Sequence, residues 1–197
     1  GQRQTPMKTP SFRWLPVFLA AVVCAASALF AAPPPPDPLY THQPGSVDGT
    51  GKWFMGREIA HFMTHHGASW LERPERETEE RPRILLDALA LKPGQTVADV
   101  GAGSGYFTWR MAQRVGPTGL VYATDIQREM ITILRTNMTA RGLTNVVPIL
   151  SLPDDPRLPT NSVDLILLVD VYHECDFPYE MVRGMAAALK PGGRLVF

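Results

Sequence analysis

The stretch "VDLILLV", Val163–Val169, carries one charge in an otherwise unbroken apolar run. A strand with one wet face alternates apolar and polar residues, and this one does not. It reads as a central strand buried on both faces, which requires covering layers above and below its sheet. The flanking sequence supplies them. Thr96–Val100, Leu120–Thr124 and Asn145–Leu150 are short runs rich in β-branched and apolar residues. Tyr106–Val115 places Phe107, Met111 and Val115 at helical spacing. Gln127–Arg141 does the same with Met130, Ile133, Leu134 and Met138, and Tyr179–Leu189 reads as a further helix. "KPGGRLVF" is a turn entering a last strand. Strands alternating with helices at these spacings predict right-handed βαβ units. The fold class is therefore α/β: a Rossmann-like, doubly wound, mainly parallel sheet flanked by helices. Phe197 falls inside the last strand, so C-terminal strands are expected to be missing by truncation.

Upstream, the texture differs. "MKTPSFRWLPVFLAAVVCAASALFAAPPPPDP", from Met7, has Lys8 and Arg13 ahead of an apolar, alanine-rich run from Pro16 to Ala32. Residues 1–32 read as a secretory signal peptide or, as the runner-up, a membrane anchor. The chain is then exported or tethered to a membrane, or cytoplasmic if the start site is misassigned. Residues 33–52 read as a Pro/Gly-rich linker. Residues 53–92 read as an N-terminal helical extension: Ile59, Phe62 and Met63 lie at helical spacing, and Glu72–Arg83 reads as a solvated helix face. Residues 93–197 form the core domain. His61 and His65, with Glu58, are the one candidate metal pair; no further ligands accompany them, so no metal is expected. Nineteen Lys plus Arg balance nineteen Asp plus Glu, so bulk electrostatics indicate no nucleic-acid partner. Of two cysteines, Cys24 lies in the apolar run, which leaves Cys175 without a partner in a processed chain.

Between the first strand and its helix lies "VADVGAGSGYF". Asp99 ends the strand, Gly101, Ala102, Gly103, Ser104 and Gly105 form the turn, and the helix starts near Tyr106. Such a turn offers free N–H groups and the positive end of a helix to a pyrophosphate or a carboxylate. Glycines also permit a positive φ or a close backbone approach. A dinucleotide loop, G-x-G-x-x-G, wants glycine where Tyr106 stands, and a P-loop wants a following G-K-[ST], which is absent.

"VADVGAGSGYF" resembles motif I of the class I S-adenosylmethionine-dependent methyltransferases. Asp125 at the end of "LVYATD" and the lead-in "LKPGGRLVF" add to the likeness, which covers about Arg83 to Phe197. "GREIAHFM" and "GASWLERPERE" resemble an N-terminal extension of a bacterial subgroup whose members often carry export signals. The resemblance implies an enzyme that transfers a methyl group from S-adenosylmethionine to a small-molecule acceptor. It implies that Asp99, Gly101, Ala102, Gly103 and Gly105 hold the cofactor's methionine and ribose region. Asp125 would accept both ribose hydroxyls, Ile126 would pack on the adenine, and Asp154, with Asp155 as alternative, would lie near the adenine amino group. The fourth strand ends in "VDVYHECD", past the carboxyl ends of the strands where ligands of open α/β sheets lie. Position there nominates Asp170 for the methionine end, Tyr172 for the wall of the methyl site and His173 as base. Trp53, Phe54 and Trp70 of the extension either pack into a core or line a lidded pocket. The competing reading is a non-catalytic module that binds S-adenosylmethionine or a nucleotide on the same fold; a nucleotide-dependent oxidoreductase is disfavoured by Tyr106.

Overall fold

In a computed structural model of the chain, the run at Val163 is an inner strand of the larger sheet, paired on both sides. The structure describes residues 39–197; the signal or anchor segment lies outside them. Eight strands and six helices follow one another: β1 Tyr40–His42, β2 Gly49–Phe54, β3 Arg57–Ala60, α1 Ala68–Leu71, α2 Arg76–Glu79, α3 Pro82–Ala88, β4 Thr96–Val100, α4 Tyr106–Val115, β5 Leu120–Asp125, α5 Arg128–Ala140, β6 Val146–Leu150, β7 Val163–Leu167, α6 Pro178–Ala188 and β8 Leu189–Val196. Single 3₁₀ turns cover His65–Gly67 and Tyr172–Glu174.

The larger sheet has the order β6-β5-β4-β7-β8, and every pairing in it is parallel. In β7, Val163, Leu165, Ile166 and Leu167 are fully buried. Side chains of alternate strand residues separate the two faces. Val97, Val121, Leu165 and Leu167 pack against Leu86 of α3 and Phe107 and Met111 of α4. Ala123, on that same side of β5, packs with Leu134 and Met138 of α5. Ala98, Val100, Val163 and Ile166 face Met181 and Met185 of α6. Helices before the reversal of strand order cover one face, and the helix after it covers the other. The reversal falls between β4 and β7, and the cleft outside their carboxyl ends is the place such sheets leave for a ligand. β6 pairs only with β5, so Pro148 sits where its missing N–H disrupts no internal ladder.

Before this core the structure departs from the sequence reading. Within the expected linker, β1 and the start of β2 are strands, and the expected helix through Ile59 is β3 in a three-stranded antiparallel sheet. The reason is turn chemistry. Met55 and Gly56 both take positive φ, +49° and +80°, the geometry of a two-residue hairpin turn whose twist matches its strands. The Glu58 carboxylate accepts N–H bonds from Ser46 and Gly51 and organises the preceding loop; the bonds at Ser46 lead in holding its carboxyl below the usual range. This sheet is stapled to the start of α6. Lys52 donates to the Asp176 carbonyl and lies over the rings of Phe177 and Tyr40, while the Tyr40 hydroxyl donates to Glu180.

The charged stretch from Glu72 to Arg83 is not a solvated helix face. It folds into two short helices, α2 and the start of α3, and Arg76 is 4% exposed. Arg73 bridges Glu79 and Glu80, and Arg76 bridges Glu80.

Candidate active site

A cleft of about 450 Å³ opens at the strand-order reversal, a size suited to a small-molecule or cofactor site. Its floor is the glycine turn after β4. Gly101 and Gly103 line it, with φ of +72° and +54°. A Cβ on Gly101 would lie 2.4 Å from Val171 Cγ2, and one on Gly103 would lie 2.7 Å from Leu71 Cδ1. The two glycines let neighbouring segments close onto the loop. Ala102 and Gly105 face the other way. Ala102 belongs to the cluster with Leu134 and Met138, and a Cβ on Gly105, at φ +90°, would meet Met138 and Leu134 of α5. They set helix packing beneath the cleft and do not line it.

Asp125 ends β5 and lines the cleft. Its Oδ2 accepts the Gly103 N–H at 3.0 Å and its Oδ1 accepts the Gln127 N–H at 2.8 Å. Each oxygen keeps acceptor capacity, since a carboxylate takes about four hydrogen bonds. Burial pushes its carboxyl above the ordinary range, against the pull of those backbone donors. Ile126, 39% exposed, forms part of the apolar wall with Leu152 and Pro153. Asp99 lies behind the loop rather than in the cleft. It is fully buried, accepts the Thr108 hydroxyl at 2.6 Å, and burial pushes its carboxyl up to about 6.

Past β7, Asp170 takes a left-handed φ of +55°, which aspartate tolerates better than most residues, and it lines the cleft. The 3₁₀ turn that follows has three residues per turn, so successive side chains diverge by about 120°. His173 and Glu174 line the cleft, with His173 Nε2 3.8 Å from Glu174 Oε1. Tyr172 does not; it lines a smaller hollow beside Arg57 and Pro178, with its ring against Phe197. Asp154 is exposed and also absent from the lining, because the chain turns away after Pro153; Ser151, Leu152 and Pro153 hold that edge instead. Asp155 uses its carboxylate on the Arg157 N–H. Burial pushes the Glu174 carboxyl up to about 7, with the Asp125 and Asp170 charges adding to the effect.

The N-terminal segment roofs the cleft with Phe62, Met63, Trp70 and Leu71. It is latched to both binding loops. Gln127 accepts the His65 N–H and donates to the Met63 carbonyl, while Ser104 donates to Glu72. His61 follows β3 and His65 opens a 3₁₀ turn, so the two do not share a helix. Among the described residues no group of three or more His, Cys, Asp or Glu converges on a metal position, and no helix is long and apolar enough to cross a membrane. Arg76, Leu71, Gln127 and Ser151 line the cleft without having been singled out in the sequence. Only Gln127, two residues past the strand-ending acid, carried a positional signal.

A sequence model of a "Methyltransferase domain" family matches residues 97–193. The solved S-adenosylmethionine-dependent methyltransferase of Aquifex aeolicus is 32% identical, with a TM-score of 0.63, over 66% of this chain and 69% of that one. The ubiquinone/menaquinone biosynthesis C-methyltransferase of Ectopseudomonas mendocina is 30% identical over 58% of this chain and 45% of its own length. The chain thus spans about half the length of the curated relatives it matches. The solved [4+2]-cyclase SpnF, 24% identical over 59% of this chain and 44% of that one, shares the fold at a TM-score of 0.53. A sheet that reverses between β4 and β7, a glycine turn bonded to the acid ending β5, and likeness to the Aquifex protein over two thirds of both chains agree: this chain belongs to the class I S-adenosylmethionine-dependent methyltransferase family.

Proposed function

We propose that this protein transfers the methyl group of S-adenosylmethionine to a small-molecule acceptor with an apolar body. The observation that carries the reading is the joining of Gly103 and Asp125 by a hydrogen bond across one cleft. The glycine turn leaves a cradle that Cβ atoms would fill, and the acid beside it keeps acceptor capacity for a diol. Gly101 and Gly103 pass beneath the ribose and methionine, Asp125 holds the ribose hydroxyls, and Ile126 covers the adenine. Ser151 is better placed than Asp154 for the adenine edge.

The cofactor supplies an activated methyl group on a sulfonium; the protein's part is positioning and exclusion of water. Asp170, at the strand end, faces the methionine end. His173 and Glu174 stand where an acceptor proton would leave. Glu174 is the better-buried base, with a side-chain exposure of 23% against 45% for His173. The apolar roof of Phe62, Met63, Trp70 and Leu71 favours an acceptor with an apolar body, and the quinone-pathway name of the Ectopseudomonas relative agrees with that class. Export or tethering through residues 1–32 belongs to the same proposal and is tested by fractionating cells.

Isothermal titration with S-adenosylmethionine and S-adenosylhomocysteine tests the cofactor, and transfer of a radiolabelled methyl group into a small-molecule extract tests the reaction. Absence of heat with both ligands would refute the proposal at its first step.

A further inference from the structure

Resting on the proposed cofactor, we infer that Arg76 is the residue that recognises the carboxylate of its amino-acid end. Arg76 comes from the charged stretch whose neighbours are mostly exposed, yet it is 4% exposed and lines the cleft beside Leu71 and Gly103. Burying a guanidinium is costly unless its donors and charge are matched. Its Nε donates to Glu80 Oε2 at 2.7 Å and its Nη1 to the Leu71 carbonyl at 3.0 Å. Among the described residues, Nη2 has no protein acceptor. Glu80, its carboxylate partner, is shared with Arg73, which also bonds Glu79. Two guanidinium groups thus face two carboxylates in that network; Asp99, behind the loop, also feels the Arg76 charge but accepts no hydrogen bond from it, which leaves one N–H edge of Arg76 for an anion from the cleft.

The orientation of that edge is fixed. The guanidinium lies over the Tyr106 ring, 4.3 Å from its centroid, and 5.1 Å from that of Phe107. Tyr106 is the first residue of α4, immediately after the glycine turn. Arg76 therefore stands where the turn meets the helix. A planar fork with a free N–H edge suits a carboxylate. The other cleft-lining charges, Asp125, Asp170, Glu174 and Asp176, are acids; besides His173, Arg76 is the one basic residue of the lining. An α-carboxylate entering this cleft has a single permanent cation to meet.

The test uses the full chain and three ligands in isothermal titration: S-adenosylhomocysteine, its decarboxylated analogue, and 5′-methylthioadenosine, which keeps adenine and ribose but lacks the amino-acid end. In wild type, removing the carboxylate is expected to weaken binding roughly tenfold to a hundredfold, the range of a charge-assisted hydrogen bond. Arg76→Met is expected to weaken S-adenosylhomocysteine by a similar factor and leave 5′-methylthioadenosine unchanged, with Arg76→Lys recovering part of the loss. Equal binding of the homocysteine ligand and its decarboxylated analogue by wild type overturns the inference, and that measurement needs no variant to fold. A parallel loss of both adenosine ligands in Arg76→Met overturns it too, because that is the mark of a structural role. Failure of wild type to bind any of the three ligands refutes the cofactor reading instead.

Discussion

Replacing Asp99 by asparagine isolates the cost of a carboxylate sealed under the glycine turn. Asp99 is buried, its carboxyl pushed from an ordinary 3.8 up to about 6, with burial the main cause and the Thr108 hydroxyl bond opposing it. A carboxyl with a raised folded-state pKa stabilises the fold fully below its unfolded pKa, and that contribution is lost as pH rises through the folded value. The gap between 3.8 and about 6 corresponds to about 3 kcal/mol, all of it acting by neutral pH. At about pH 4.5 roughly a third of that loss has already occurred. Asparagine has the same shape, can accept the Thr108 hydroxyl and does not ionise. The stability difference between Asp99→Asn and wild type is therefore expected to shift in favour of the variant by about 2 kcal/mol between about pH 4.5 and pH 7.5. Urea unfolding of both proteins at the two pH values measures this, and comparing them pairwise cancels every other titrating group. A difference that stays constant with pH, or moves toward wild type, would show that Asp99 is ionised at little cost, and the account of the site's electrostatics would fail with it.

Gly101→Ala is expected to cost about 1–2 kcal/mol through its left-handed φ alone, with more from the contact with Val171; thermal unfolding of Gly101→Ala with and without Val171→Ala separates the two, since the second change relieves only the contact. Asp125→Asn is expected to weaken S-adenosylhomocysteine and 5′-methylthioadenosine together, by roughly tenfold or more, because both carry the ribose; titration showing a loss for one alone contradicts the ribose role. Glu174 ionises near pH 7, so raising pH from about 6 to 8 adds a negative charge to the cleft. Binding of the sulfonium cofactor relative to its neutral thioether product should tighten over that range, and Glu174→Gln should flatten the trend. Gln127→Ala removes two hydrogen bonds that latch residues 63–65; faster amide exchange across 61–67 is the expected outcome, and unchanged exchange would mean that packing by Met63 and Leu71 alone holds the roof.

The core was legible because periodicity and turn chemistry agree there. "VDLILLV" announced a strand buried on both faces, and Val163, Leu165, Ile166 and Leu167 are fully buried. α4 runs over the residues its spacing indicated. The hairpin was illegible for the opposite reason: Ile59, Phe62 and Met63 fit a helical period by accident, and the turn at Met55 and Gly56 lacks the usual Asn or Asp. Arg76 was hidden among eight other charged residues between Glu72 and Arg83, where composition speaks for solvent. Only the tertiary approach of Tyr106 and Phe107 shows which arginine is withdrawn. Likewise, period-two logic could place Asp99 and Asp125 at strand ends, but not tell which of them opens into the cleft.

The staple between the hairpin and the segment leading into α6 bears on the order in which the parts around the cleft assemble. Its floor arises from one contiguous stretch, β4 to β5, and can form by local contacts. Behind its far wall the contacts are longer: Asp176, in the lining, meets Lys52, and Tyr40 meets Glu180, across separations of 124 and 140 residues. Contacts of such range are slow to close. During synthesis the hairpin emerges before the segment after β7 and lacks these partners until that segment has left the ribosome. The binding site is thus complete only once the segment after β7 has been made.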